Sequence, residues 1–389
     1  MLRQAIYPTS NINNTSPVAK DLVIMLFPCS SLLFALIVGT ASAALPSRHN
    51  ATWTTLKNVP RLRQEHTTVA IKGDTIAVIG GVTPIGNATQ FTGIRTVDWV
   101  HLYDIPSDTW RTATPSPFRV NHPNVISKDG LVYLLGGLVD ARDPPDTLPY
   151  WIASGECHVY DPDIDVWSQL ESMPPGTERG SAVMGVHDDL IYLAGGMTIL
   201  GGKSPGDSYQ DAVITVTAFN TTSGEWLRLV DVAANIPEGR QHAAGGVIGN
   251  VLYVAGGRWF EKSNLRDEVF MLDLGNQSAG WTTADERMPT ARGGISGAVV
   301  NQKLFTFGGE ANPDTKNGIF DNVEVFDTDA RMWTSLAPMQ VPRHGTSAVA
   351  IGNKIYIPGG GLQEDGKIVI IDGVEQFIRT TDHFDVLTV

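Results

Sequence analysis

Arginine recurs in this chain at a near-constant distance ahead of a Gly-Gly pair. Arg63, Arg119, Arg179, Arg240, Arg292 and Arg343 stand 16 or 17 residues before Gly80, Gly136, Gly195, Gly256, Gly308 and Gly359. A guanidinium matches a carboxylate through two parallel hydrogen bonds. Such a set has two readings. The arginines hold an anionic ligand, or they bond loop carbonyls as part of a frame. Histidines fall close by. His66, His122 and His242 each lie fourteen residues before their Gly-Gly pair, and His344 is one step out of phase. Imidazole and carboxylate groups can act as general acids and bases. Glu310 and His242 are the candidates for that role, but no spacing singles them out and no catalytic residue is assigned. Arg258 stands outside the repeated frame and adjoins Trp259 and Phe260, which makes it the best single candidate for a ligand contact. No metal site is expected, because equivalent positions in different repeats should lie too far apart for bonds of about 2 Å.

Other chemistries are excluded more simply. There is no HExxH, P-loop or CxxC pattern in the sequence, so no cofactor is implied. The formal net charge is −13 over 389 residues, which disfavours a nucleic-acid partner, since the phosphate backbone needs a basic footprint. The cysteines are Cys29 and Cys157. Cys29 lies in the N-terminal apolar stretch, so Cys157 would be alone in a processed chain and reads as a small strand residue.

The elements that must position these residues repeat with them. Each Gly-Gly pair ends a short apolar run, such as Leu131–Leu135 or Val251–Ala255. A second apolar run follows each arginine, and turn formers such as Asp129-Gly130 or Gly249-Asn250 separate the two. That is a hairpin pattern. A third strand then carries an aromatic residue seven positions before a Trp: Tyr103 and Trp110, Tyr160 and Trp167, Phe219 and Trp226, Phe326 and Trp333. The repeat recurs at intervals of 51 to 61 residues.

Arginine, Gly-Gly and aromatic-x6-Trp at this period resemble the kelch repeat, over about residues 53–389. The resemblance implies an all-β fold: a six-bladed kelch-type β-propeller with four-stranded blades around a central channel. The last repeat lacks its Trp. We expect Trp53-Thr-Thr-Leu56 to supply the missing strand and close the ring; the alternative takes Phe384 as the substitute. Strand alternation places the arginines, the histidines and the long loops on one face, so Arg63, His66, Arg119, His122, Arg179, Arg240, His242, Arg258, Trp259, Arg292, Arg343 and His344 are the candidate ligand-binding set.

Galactose oxidase-like copper enzymes share this kind of propeller, but Cys157 does not align with their cross-linking cysteine and their accessory domains are missing. Some six-bladed kelch-type proteins are sugar mutarotases or epimerases, which gives an alternative function on a carboxylated sugar. The preferred expectation is an interaction module, a monomer with no enzymatic role, taking a protein or carbohydrate ligand on the loop face.

Residues 22–38 are apolar, and Ala41-x-Ala43 fits a signal-peptide cleavage site. We expect residues 1–43 to be a polar extension plus signal peptide, with Met25 as an alternative start, and residues 44–389 to form the secreted propeller with no stable membrane association. The rival reading keeps residues 22–38 as a membrane anchor. Sequons at Asn50, Asn87, Asn220 and Asn276 fall in expected loops, as glycans require.

Overall fold

The computed structural model describes residues 51–85, 93–141, 150–204, 207–371 and 373–389. Six antiparallel blades follow one another along the chain, with two further two-stranded ribbons, and the described helical content is one 3-10 turn, Gln277–Ala279. Blade 1 runs Thr67–Ile71, Thr75–Ile79, Val100–Asp104, Thr109–Thr112, in spatial as in sequence order. Blades 3, 4 and 5 repeat this order from Val183, Ala244 and Ser296. Blade 2 has longer inner strands, Leu131–Asp140 and Trp151–Asp161, onto which the hairpin Ile199–Ser204 and Asp207–Gln210 is added. In blade 6 the chain closes on itself. Thr52–Thr55 is the outer strand beside Thr380–Thr388, with Trp53 opposite Leu387. Phe384 belongs to the third strand, opposite Pro358. The N-terminal clasp removes the free edges that an open ring would leave.

A blade buries both faces only against its neighbours. Val100 and Leu102 of blade 1 pack with Val132, Leu134 and Tyr160 of blade 2. Full burial of each large apolar side chain is worth about 1.5–3 kcal/mol. The tryptophans add directional bonds across the seams. The Nε1 groups of Trp110, Trp167, Trp226 and Trp281 donate to the carbonyls of Lys57, Thr114, Glu171 and Ala233, at 2.9–3.1 Å.

The Gly-Gly pairs lie where one blade's backbone meets the next. The N–H groups of Gly81, Gly196, Gly257, Gly309 and Gly360 donate to the carbonyls of Val120, Arg240, Arg292, Arg343 and Arg63. Gly80 has φ +67°, and a Cβ there would stand 2.5 Å from the Val120 carbonyl oxygen. Glycine is needed for both the conformation and the approach.

Candidate functional site

The repeated arginines are structural. Arg63, Arg179, Arg240, Arg292 and Arg343 are at most 1% exposed. Their partners lie in their own blades. Arg292 donates to Gly308 O at 2.6 Å, Thr306 Oγ1 at 2.9 Å and Glu324 Oε2 at 2.8 Å. Arg343 meets Asp385, Arg240 meets Glu238 and Glu268, Arg179 meets Thr217, and Arg63 meets His101. Burial lowers Arg63 and Arg179, which face neutral partners, to about 9. Holding an anionic ligand would need these side chains on the loop face; the structure instead packs them inside the blades.

Arg119 is not one of them. It is exposed, and Val120 occupies the frame position of blade 2. The isolated bridges fix the register: Gln64, Asn121, Gly180, Gln241, Gly293 and His344 are equivalent, each one residue past the frame position.

The next position forms a ring around the axis. Glu65, His122, Ser181, His242, Gly294 and Gly345 all have φ between +47° and +68°. Backbone bonds link them from blade to blade: Glu65 N–H to Gly345 O at 2.6 Å, His122 N–H to Glu65 O at 2.9 Å, and Ser181 N–H to His122 O at 3.0 Å. The expectation that equivalent positions stay far apart therefore fails here. The ring is only as wide as hydrogen-bonded backbone allows, so side chains from separate blades touch. His122 Nε2 and His242 Nε2 are 2.9 Å apart. Glu65 Oε2 lies 3.1 Å from the first and 3.8 Å from the second. The donor atoms of Glu65, His122 and His242 lie within 4.8 Å of one another and could hold a metal ion.

His66 was the blade 1 residue expected in this row. It lies one step past it, buried against Gly359. The cause is the blade 1 hairpin, whose turn has three residues, Lys72, Gly73 and Asp74, against two in blade 2. Counting back from Gly-Gly across the longer turn displaces the register by one. Counting forward from the arginine finds Glu65. The dipeptides Gln64-Glu65, Asn121-His122 and Gln241-His242, an amide followed by a ligand-type residue, were a further signal.

Loop residues cover the ring. Arg258 Nη2 donates to Glu310 Oε1 at 2.7 Å and Nη1 to Gln210 Oε1 at 3.4 Å. Lys262 Nζ lies 3.9 Å from Glu310 Oε2 and bonds the Asp365 carbonyl. His344 Nδ1 stands 3.6 Å from Glu310 Oε1 and 3.8 Å from Glu65 Oε1. Gln210, at the end of the hairpin added to blade 2, and Lys262 and Asp365, from loops, have no repeat phase, which is why sequence reasoning missed them. Between this cover and the ring is a cavity of about 30 Å³, room for about one water. On the other side of the ring the six first strands enclose about 420 Å³.

The charges in the cluster act on one another at close range. Burial opposes ionisation of Glu65, but His122 and His344 hold its carboxyl below the usual range. Burial likewise opposes the charge on Glu310, yet His344, Lys262 and Arg258 keep it well below that range. Burial pushes Asp365 up to about 6. Burial, with Arg258 and His122 nearby, drives His242 well below its ordinary value. For His344 the effect of burial is outweighed by Glu310, Asp365 and Glu65, which raise it. A general acid or base works best near the operating pH; Glu310, ionised and tied to Arg258, and His242, held neutral, are both displaced from it.

Above the cluster, Trp259 and Phe260 are 40% and 37% exposed. Cys157 is buried in blade 2, and burial pushes its thiol up to about 12. Asn220 and Asn276 lie at surface turns, the second exposed; Asn50 and Asn87 fall outside the described residues.

The profile of the KLHDC2/KLHL20/DRC7 Kelch-repeats domain matches residues 197–376. Kelch-like protein terF of Aspergillus terreus (strain NIH 2624 / FGSC A1156) is 37% identical over 335 residues, which cover 84% of this chain and 69% of that protein. Kelch-like protein 36 of Bos taurus is 25% identical over 66% of this chain and 38% of its own length. Kelch-like protein 34 of Homo sapiens is 23% identical over 69% of this chain and 39% of its own length. The chain thus spans well under half of these two mammalian relatives. Repeat, register, ring closure and relatives agree: this chain belongs to the kelch-repeat β-propeller family.

Proposed function

We propose that this propeller is an exported binding module whose loop face takes a protein ligand, with Trp259 and Phe260 as its anchors. The carrying observation is that two large aromatics project from one loop that is otherwise tied down. Trp259 N–H bonds Asn264 O at 3.2 Å, and Asn264 Nδ2 bonds Trp259 O at 2.8 Å. The Arg266 guanidinium lies 5.5 Å from the Trp259 ring. Phe260 keeps φ +62°, a strained value for a bulky residue and one found where function maintains it. Gln241 of the axial region holds Phe260 O at 3.0 Å. Exposed Tyr209 adjoins Gln210, which bonds Gln241 in turn. Trp, Tyr and Arg are the residues that dominate binding energy at protein interfaces. The frame arginines, being buried, add nothing to this contact. A sugar-isomerising role through Glu310 and His242 has less support, since the cavity above the ring takes about one water.

Peptide-display selection and a glycan array, run on the wild-type chain and on Trp259→Ala/Phe260→Ala, test this reading. We expect selected peptides whose affinity falls at least tenfold in the double variant. Glycan-only binding, or peptide binding indifferent to the variant, defeats it. Export rests on the apolar residues 22–38 and the Ala41-x-Ala43 site. N-terminal sequencing of protein from culture medium should begin at Ala44; retention with membranes favours the anchor instead.

A further inference from the structure

We propose that Glu65, His122 and His242 bind a divalent first-row transition-metal ion on the propeller axis. The neighbouring amides fix the histidine tautomers. Asn121 Nδ2 donates to Thr96 Oγ1 at 2.9 Å, and that hydroxyl donates onward to Asp140. This turns Asn121 Oδ1 towards His122 Nδ1, 2.6 Å away. Gln241 Nε2 donates to Gln210 Oε1 at 2.7 Å and Phe260 O at 3.0 Å. This turns Gln241 Oε1 towards His242 Nδ1, its hydrogen-bond partner. Amide and imidazole orientations are set by such networks, and here both networks put the proton on Nδ1.

With both rings neutral, both Nε2 atoms present lone pairs, and they face each other at 2.9 Å. Two neutral acceptors at that distance repel. A cation between them, beside the Glu65 carboxylate, removes the conflict. The donor separations of 2.9, 3.1 and 3.8 Å bracket the roughly 3.3 Å edge of a tetrahedral site with bonds of 2.0–2.1 Å. Ligating histidines regularly donate their other ring N–H to an oxygen acceptor that orients them, the role Asn121 and Gln241 fill here. The set of two imidazoles and one carboxylate suits zinc or iron(II) and leaves coordination positions open. All three ligands also hold left-handed backbone, φ +47° to +54°, where blades 5 and 6 use glycine. Such conformations cluster at functional sites.

The test uses the full chain, stripped with chelator and titrated with Zn²⁺ by calorimetry. We expect one ion per chain. Affinity should fall at least 100-fold in His122→Ala and in His242→Ala, and roughly 10–100-fold in Gln241→Ala, the range for lost orienting partners. His187→Ala, at the far end of the blade 3 inner strand, should leave it unchanged. No stoichiometric uptake, or uptake indifferent to His122→Ala, overturns the proposal. Should a variant misfold, ¹⁵N-histidine spectra of the wild type decide. Zinc-dependent shifts of two Nε2 resonances support the site; an imidazolium pair sharing a proton, unmoved by zinc, overturns it.

Discussion

Two rings of side chains run around this propeller, two residues apart in every blade, and they behave differently. The outer ring holds arginine at the same place in blades 1, 3, 4, 5 and 6. Each arginine finds its partners in its own blade, so its chemistry is complete locally. The inner ring reads Glu65, His122, Ser181, His242, Gly294 and Gly345. Its residues vary around the ring, and the side chains of Glu65, His122 and His242 meet one another across blades as well as their own neighbours. Chemistry repeated in every unit serves the unit. Chemistry that departs from the repeat and converges on the axis is where a site specific to this protein should be sought.

The sharpest way to break this contrast is to empty one position of the outer ring. Arg292→Ala would leave Glu324, 1% exposed, buried without its cation, and breaking a buried pair costs about 3–5 kcal/mol. Urea unfolding should show that loss. A cost below about 1 kcal/mol would mean the arginine ring is not structural.

The outer ring should also make itself felt through pH. Burial and the Arg63 charge lower His101 to about 3, against an ordinary value near 6.5. Between those values the unfolded chain binds a proton that the folded chain does not. Stability therefore falls as pH drops from about 6.5 towards 3. In His101→Gln, which retains an acceptor for Arg63, the dependence of unfolding free energy on pH between 6.5 and 5 should weaken by about one proton. An unchanged slope would show that His101 titrates freely.

A milder effect is expected at the inner ring. His242→Gly places in blade 4 the residue that blades 5 and 6 already carry, and it relieves about 1–2 kcal/mol of left-handed strain. That relief offsets lost contacts, so we expect a net change of about 1 kcal/mol or less in the chelator-treated chain. A loss as large as that of Arg292→Ala would make the inner ring structural too. The smallest effect belongs to Arg119→Ala. Exposed and out of frame, it should stay within about 0.5 kcal/mol by the same urea measurement.

Much of this was legible in the sequence, and the failures have definite causes. The hairpins, the Gly-Gly seams, the aromatic-Trp pairs and the Trp53 clasp all read directly, because each depends on residues close in sequence or on the phase of the repeat. Glu65 was hidden by one extra turn residue in blade 1. Arg119 reads as a frame arginine because a one-residue offset is invisible without the bridge at Asn121. Arg258 drew notice for its aromatic neighbours, yet its side chain lies buried on Glu310 while Trp259 and Phe260 are the exposed pair.

The sequence alone determined the number of blades, their internal order and the closure of the ring. These follow from periodicity, since each unit must bury its apolar faces against equivalent neighbours. Only the tertiary structure decided which side chains meet on the axis. That meeting depends on how tightly six strand ends draw together and on which loops fold over them. No local pattern encodes either, because the distance between His122 and His242 is set by the closed ring and not by their sequence separation of 120.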